Sequence, residues 1–146
     1  MVDADKIEGI FRNLDRYLGH LRALAQLSRT ELLADAGRLG GAKYYLQVAV
    51  ECCIDAANHL IASQNWRVPK NHADSFAVLA ENDVISAEFQ RTARQMVGMR
   101  NRLVHLYWEV DDRTVYSTLQ NNLEDFERFK LAVYAYLQTA GVADSL

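Results

Sequence analysis

Apolar residues recur every three or four positions through most of the chain, which is the spacing of one face of an α-helix. This pattern predicts a first helix from Asp3 to Gln26. Residues 28 to 31, SRTE, have the sequence of a capping box, in which Ser28 and Glu31 satisfy free backbone N–H groups at the start of a new helix. The chain therefore begins with two helical segments joined by a short turn.

A second long helix is predicted from Ala42 to about Ser63, after a break or bend at three glycines, Gly37, Gly40 and Gly41. On a helical projection its apolar side chains share one face and its polar side chains share the opposite one. The apolar face comprises Leu46, Ala49, Val50, Cys53, Ile54, Ala57, Leu60 and Ile61, and the polar face comprises Gln47, Glu51, Asp55 and Asn58.

Three further segments complete the predicted fold. Residues 64 to 74 contain the only proline and form a loop, and Asp74 is the predicted N-cap of a short helix over residues 75 to 82. Ser86 caps a long helix that continues to about His105, and the last helix runs from about Thr114 to Ala140. Since the connections are short, we expect an all-α fold, an antiparallel bundle of four long helices plus a short one.

The composition fits one domain spanning residues 1 to 146, because a chain of this length buries about two-thirds of its unfolded surface. Cys52 and Cys53 are adjacent, so a disulfide between them would be strained, and we interpret them as small packing residues in a reducing compartment. No apolar run approaches the roughly 20 residues that cross a bilayer, and no secretory signal opens the chain. We expect a cytoplasmic protein with no membrane partner.

Charge is distributed unevenly. The net charge of −3 indicates neither a nucleic acid nor an anionic membrane as a partner. Residues 89 to 108, however, contain four arginines and no acidic residue. This segment is a candidate anion-binding site, and a solvated face is the alternative. The four arginines are Arg91, Arg94, Arg100 and Arg102.

Arg100 lies near the middle of an apolar arc on the helix that contains it. A buried guanidinium is costly unless an acid or another surface receives it. Two explanations stay open: a structural arginine paired with Glu51 or Asp55 of the second long helix, or an arginine that lines a cleft and holds an anion. The arc comprises Phe89, Ala93, Met96, Val97, Met99, Leu103, Val104 and Tyr107.

His105 projects about 140° away from Arg100 on an ideal helix, so one straight helix cannot place the two side chains together. Asn101, four residues before His105, could orient its imidazole. A structural His or a partner for the helix dipole is the alternative. Arg100 and His105 can cooperate if the helix ends near His105, or if a twofold dimer brings a second copy of each to the same groove.

An Arg and a His in one cleft fit metal-independent cleavage of RNA, whose 2′-hydroxyl supplies the nucleophile. His105 would act as general base or acid, and Arg100 would stabilise charge on the phosphate. The sequence contains neither a Cys/His metal-binding cluster nor a Gly-rich phosphate loop. We therefore expect no metal and no cofactor.

Residues 100 to 107, RNRLVHLY, resemble the Arg-x4-His-x-Tyr signature of HEPN domains of the HepT-like toxin type. Arg100, His105 and Tyr107 occupy its three defined positions, and Asn101 fits the usual polar position after the Arg. The flanking segments YYLQVAVECCIDAANHLIA, RVPKNHADSFAVLAENDVI and VHLYWEVD are also similar to these proteins. The resemblance therefore covers about residues 42 to 112.

This resemblance implies a homodimeric RNA endonuclease, the toxin of a type VII-like toxin–antitoxin system, with a composite site formed by both copies of Arg100 and His105. It implies a minimal nucleotidyltransferase antitoxin as partner, which would silence the toxin by transferring AMP to Tyr107. Tyr107 lies seven residues after Arg100, so on one helix both would share a stripe and the adduct would block the cleft. Glu51, Asp55 and Asn101 would support the site.

Other interpretations remain. Arg94 and Arg102 are candidate RNA-binding residues under the nuclease hypothesis, and a solvated surface otherwise. The chain could instead be a non-catalytic adaptor subunit of a nucleotidyltransferase that holds a nucleotide in the same basic cleft. It could also be a dimeric structural protein in which Arg100 only pairs with an acid, and Tyr107 could be a core aromatic residue.

Overall fold

Helices contain 81% of the residues in the computed structural model, which describes residues 2 to 141. Met1 and residues 142 to 146, which belong to the predicted domain, lie outside the described residues. No strand occurs within residues 2 to 141. The elements are α1 (Ala4–Ala25), α2 (Arg29–Ala34), α3 (Ala36–Ser63), α4 (His72–Glu81), α5 (Ala87–His105), a 3₁₀ turn (Tyr107–Glu109), α6 (Asp112–Asn121) and α7 (Glu124–Thr139).

The all-α prediction is confirmed, but the described residues form seven α-helices rather than five. Helix α3 is the central element, because it packs against α1, α4 and α5 and also contacts α2, α6 and α7. Its predicted apolar face is buried. Cys52 and Cys53 are free and buried in this helix, and burial raises the pKa of the Cys52 thiol to about 11. The antiparallel order of the helices and the homodimer stay predictions.

The predicted break at Gly37, Gly40 and Gly41 is wrong, because α3 runs through all three glycines. The helix begins with Asp35, whose side chain accepts a hydrogen bond from the Arg38 backbone N–H at 3.1 Å. A glycine costs a helix about 1 kcal/mol relative to alanine. Residues 39 and 42 on the same stretch are buried, and this tertiary packing favours the helix against the local preference.

Two of the predicted helix caps are confirmed and one is wrong. Ser28 and Glu31 form both hydrogen bonds of the capping box, and the Ser86 side chain caps α5. Helix α4 is capped by Asn71, whose Oδ1 accepts from the Asp74 backbone N–H at 2.8 Å, so the helix begins earlier than predicted. The Asp74 carboxylate is instead held by Arg67, at 2.8 Å in an ion pair.

The predicted last helix is divided into α6 and α7, with the break at residues 122 and 123. Helix α6 packs against α1, α2 and α3, and α7 packs against α3 and, through Phe129 and Tyr134 on Phe11, against α1. The second segment ends before Gly141, which has a φ of 75° and suits a helix end, as predicted.

Helix α5 ends at His105, and the chain then turns sharply. The Leu106 N–H donates to the Arg102 carbonyl at 2.8 Å, and a 3₁₀ turn follows directly. This helix end positions the candidate site. Within residues 2 to 141, no helix is long and apolar enough to cross a membrane.

Candidate active site at the end of helix α5

Arg100 points from α5 toward the polar face of α3. Its Nη2 donates to Glu51 Oε2 at 3.2 Å, and its Nη1 donates to Asn101 Oδ1 at 3.2 Å. The Arg100 side chain is only 16% exposed, and that of Glu51 is 32% exposed. Arg100 Nε is buried and has no hydrogen-bond partner among the described residues. An acid therefore holds the guanidinium at the edge of the core. This agrees with the explanation in which Arg100 pairs with an acid of the second long helix.

Of the two acids predicted to pair with Arg100, the structure selects Glu51. Asp55 lies one turn further along α3, is exposed, and forms no hydrogen bond or ion pair with Arg100 among the described residues. Partial burial and, second, the nearby Glu51 carboxylate raise the pKa of Asp55 above its ordinary value. The predicted contact between Asn101 and His105 is also not formed in the described chain, because Asn101 Oδ1 accepts from Arg100.

His105 is the last residue of α5, and its imidazole is exposed without a hydrogen-bond partner in the part of the chain that is described. On the helical projection it lies within about 60° of Arg94 and Arg102 and on the side away from Arg100. An open groove of about 440 Å³ covers this face, lined by Arg91, Arg94, Gln95, Gly98 and Arg102. On this projection His105 shares the side of α5 that carries the arginines, whereas the Arg100 side chain meets the polar face of α3.

Tyr107 does not share the stripe of Arg100, because α5 has ended before it. The tyrosine lies on the 3₁₀ turn and is 47% exposed, so the prediction of a common stripe is wrong. No hydrogen bond of its hydroxyl occurs within residues 2 to 141. Its ring lies against a cation instead, with the Lys43 Nζ 4.5 Å from the ring centroid.

Lys43 is a residue of the site that sequence reasoning missed. It is only 8% exposed, and its Nζ lies 2.8 Å from Asp112 Oδ1. The signal was present in the sequence, because Lys43 precedes Leu46 by three residues and Val50 by seven, on the apolar face of α3. A cation on an apolar stripe is the same irregularity that singled out Arg100.

Large apolar side chains next to Tyr107 in the chain are exposed. Val104, Leu106 and Trp108 are exposed, and Trp108 is 77% exposed. Tyr44, which follows Lys43 in α3, is also exposed. Clustered apolar side chains of this kind are typical of protein interaction surfaces. Among residues 2 to 141, no three His, Cys, Asp or Glu side chains come close enough to hold a metal ion.

Comparison with known proteins identifies the family to which the chain is similar. A family model described as Ribonuclease HepT-like matches residues 14 to 133. A protein described as mRNA nuclease HepT, from Shewanella oneidensis, is 42% identical over 84 residues. The match covers 58% of this chain and 63% of that protein, so it spans less than two-thirds of the relative's length.

Two further relatives match over most of their length. A protein described as tRNA nuclease HepT, from Aphanizomenon flos-aquae, is 23% identical over 133 residues, covering 91% of this chain and 90% of that protein. A solved structure of a tri-AMPylated Shewanella oneidensis HEPN toxin in complex with an MNT antitoxin superimposes with a TM-score of 0.85. Its sequence is 30% identical, and the superposition covers 91% of this chain and 99% of that one.

Proposed function

This chain belongs to the Ribonuclease HepT-like family, and we propose that it is the RNA-cleaving toxin of a type VII-like toxin–antitoxin pair. The observation that carries the proposal is the placement of Arg100, His105 and Tyr107 around one helix end. Arg100 is fixed by Glu51, His105 is exposed, and Tyr107 projects from the turn that follows. Two relatives described as RNA nucleases support the same activity.

The proposed reaction uses the RNA 2′-hydroxyl as nucleophile. His105 of one copy accepts the hydroxyl proton as the oxygen attacks phosphorus, and the bond from phosphorus to the 5′-oxygen breaks. The leaving oxygen takes a proton from a water molecule, and the hydroxide so formed accepts the proton held by His105, leaving a 2′,3′-cyclic phosphate and a 5′-hydroxyl. Arg100 stabilises the negative charge that develops on the phosphate oxygens. Neither a metal nor a cofactor takes part.

A homodimer accounts for the two faces of α5. Within one copy Arg100 faces α3 while His105 faces away, so a groove shared by two copies is the simplest way to assemble the pair. The exposed apolar surface of Val104, Leu106 and Trp108 beside His105 supports such a contact, since a partner subunit would cover it. Arg94 and Arg102 would then bind the RNA backbone on either side of the site.

Tyr107 is the proposed acceptor of AMP from a cognate minimal nucleotidyltransferase antitoxin. Its exposed position on the 3₁₀ turn makes the hydroxyl accessible to a second protein. The structural relative described as a tri-AMPylated toxin with its antitoxin supports this form of control. The adduct would add a bulky anion next to the groove in which the RNA phosphate binds.

Cleavage of a labelled RNA by the purified chain in the presence of EDTA tests the activity and its independence from metals. We expect a 2′,3′-cyclic phosphate product and no cleavage when the 2′-hydroxyl at the cut position is replaced by hydrogen. The His105→Ala variant should cleave at least about 100-fold more slowly, as for loss of a general acid or base. A His105→Ala variant as active as the wild type would overturn the assignment, and nucleotide binding without any cleavage would favour the adaptor alternative.

Mixing two inactive variants tests the composite site. Arg100→Ala and His105→Ala subunits should each be inactive alone, and a heterodimer holds one site with an intact Arg and an intact His. After subunit exchange we expect about one quarter of wild-type activity, because half of the dimers are mixed and half of their sites are intact. No recovery in a mixture that has demonstrably exchanged subunits would place both residues in one copy.

A further inference from the structure

Lys43 contacts the ring of Tyr107, the proposed site of modification. We propose that Lys43 is a positioning residue that presents Tyr107 to the AMP donor and then neutralises the phosphodiester formed on its hydroxyl. This inference rests on the proposed function, in which Tyr107 is the acceptor. Lys43, a buried cation on α3, would then be the part of the toxin that prepares the tyrosine for modification.

The contacts of Lys43 connect three elements. Lys43 is a buried residue of α3. Its ammonium lies 4.5 Å from the centroid of the Tyr107 ring and 2.8 Å from Asp112 Oδ1 at the start of α6. The attraction between an ammonium and an aromatic face favours one orientation of the ring. The Tyr107 hydroxyl has no hydrogen bond in the described chain, so the Lys43 ammonium is the polar group that restrains the ring.

Asp112 allows the ammonium to change partners. The Lys43 side chain is 9% exposed, but that of Asp112 is 48% exposed, so the carboxylate can turn into water without an unpaired charge being buried. The phosphodiester on Tyr107 carries one negative charge and is attached to the ring that Lys43 already contacts. Among the described residues Arg100 has no contact with Tyr107, because its guanidinium is directed toward Glu51 and Asn101.

The proposed AMP transfer from ATP to Tyr107 releases pyrophosphate. The Tyr107 hydroxyl oxygen attacks the α-phosphorus of ATP in the active site of the nucleotidyltransferase, and a new O–P bond forms. The bond from that phosphorus to the bridging oxygen breaks, and pyrophosphate leaves. The phenolic proton passes to a carboxylate or a water in the transferase. Lys43 does not exchange a proton, and its ammonium compensates the charge of the ester.

The test measures the rate of the first AMP transfer from [α-³²P]ATP to this chain by the proposed cognate nucleotidyltransferase. We expect Lys43→Met to slow kcat for that transfer at least tenfold with little change in KM, whereas Lys43→Arg should keep the rate within threefold. Lys130→Met is the matched control, because Lys130 is a mostly buried, ion-paired lysine on α7 that contacts Asp15. An equal rate in Lys43→Met and wild type would overturn the inference.

A second readout separates positioning from stability. Full modification of Tyr107 should raise the thermal midpoint of the wild-type chain and should not raise that of Lys43→Met, because the phosphodiester then lacks its cation. An equal rise in both would also overturn the role of Lys43. If Lys43→Met does not fold, Lys43→Gln is the uncharged variant to compare. If Tyr107→Phe incorporated as much labelled AMP as the wild type, this would contradict the proposed function itself and not only the role of Lys43.

Discussion

Replacing Arg100 with methionine should separate catalysis from stability. Methionine keeps an unbranched side chain of similar length and removes the guanidinium. The change eliminates the ion pair with Glu51 and the hydrogen bond to Asn101, each at 3.2 Å. It also eliminates the buried Arg100 Nε, which has no partner within residues 2 to 141. The first loss is unfavourable to folding and the second is favourable.

The two effects are of similar size. A partly exposed ion pair contributes about 1 kcal/mol, and Glu51 is 32% exposed, so its carboxylate remains hydrated after the change. A buried donor without a partner costs about 1–3 kcal/mol, and that cost disappears. Arg100→Met should therefore change the free energy of unfolding by about 1 kcal/mol or less, or stabilise the chain. Cleavage should fall about 10²–10³-fold, as for the loss of a charge-stabilising donor.

Urea unfolding followed by circular dichroism, at one fixed subunit concentration, measures the first quantity, and RNA cleavage measures the second. Arg67→Met is the control, because Arg67 is an ion-paired arginine far along the chain from the site. It should lower stability with little effect on cleavage by the folded fraction. If Arg100→Met lost more than about 3 kcal/mol of unfolding free energy, Arg100 would be a structural residue whose removal leaves a buried charge unpaired.

Three further predictions concern the surface and the loop. In the His105→Ala background, replacing Arg94 and Arg102 with alanine should reduce the slope of log affinity against log salt for single-stranded RNA by about 1.4, measured by fluorescence anisotropy. Hydrogen bonds from Arg67 lower the pKa values of Asp74 and Glu81, so their contribution to stability is complete above about pH 5 and is lost progressively as the pH falls. Arg67→Gln should therefore lower the thermal midpoint at pH 6, and the difference from the wild type should shrink toward pH 2. Asn71→Ala should cost about 1 kcal/mol in urea unfolding, because the cap of α4 is lost.

Local sequence signals predicted the helices well where neighbouring residues decide the structure. Ser28 and Ser86 cap their helices as predicted, because each cap bonds a backbone group three residues away. Asn71 and Asp74 are both good caps, and the choice between them depends on Arg67, which draws the Asp74 carboxylate into an ion pair. That partner precedes α4 in a loop, so its position was not predictable from helical periodicity.

The site was predictable only in part for a similar reason. Arg100 was found because a cation interrupts an apolar stripe, and Lys43 interrupts the stripe of α3 in the same way. Periodicity within α5 cannot tell whether Arg100 meets Glu51 or Asp55, since this depends on how α3 and α5 are rotated against each other. Those two acids are four residues apart on one face, and only the packed structure distinguishes them.

Because α5 ends at His105, the three signature residues lie on different surfaces. Arg100 faces α3, His105 faces away from Arg100, and Tyr107 is exposed on the turn that follows. If the helix continued, Tyr107 would project within about 20° of Arg100 and would be drawn into the same partly buried stripe. The 3₁₀ turn instead places the Tyr107 ring on the Lys43 ammonium and leaves it half exposed. Under the two proposals, Arg100 stabilises the RNA phosphate and Lys43 acts on Tyr107. The proposals therefore assign cleavage and its control to different cations, although only seven residues separate Arg100 from Tyr107.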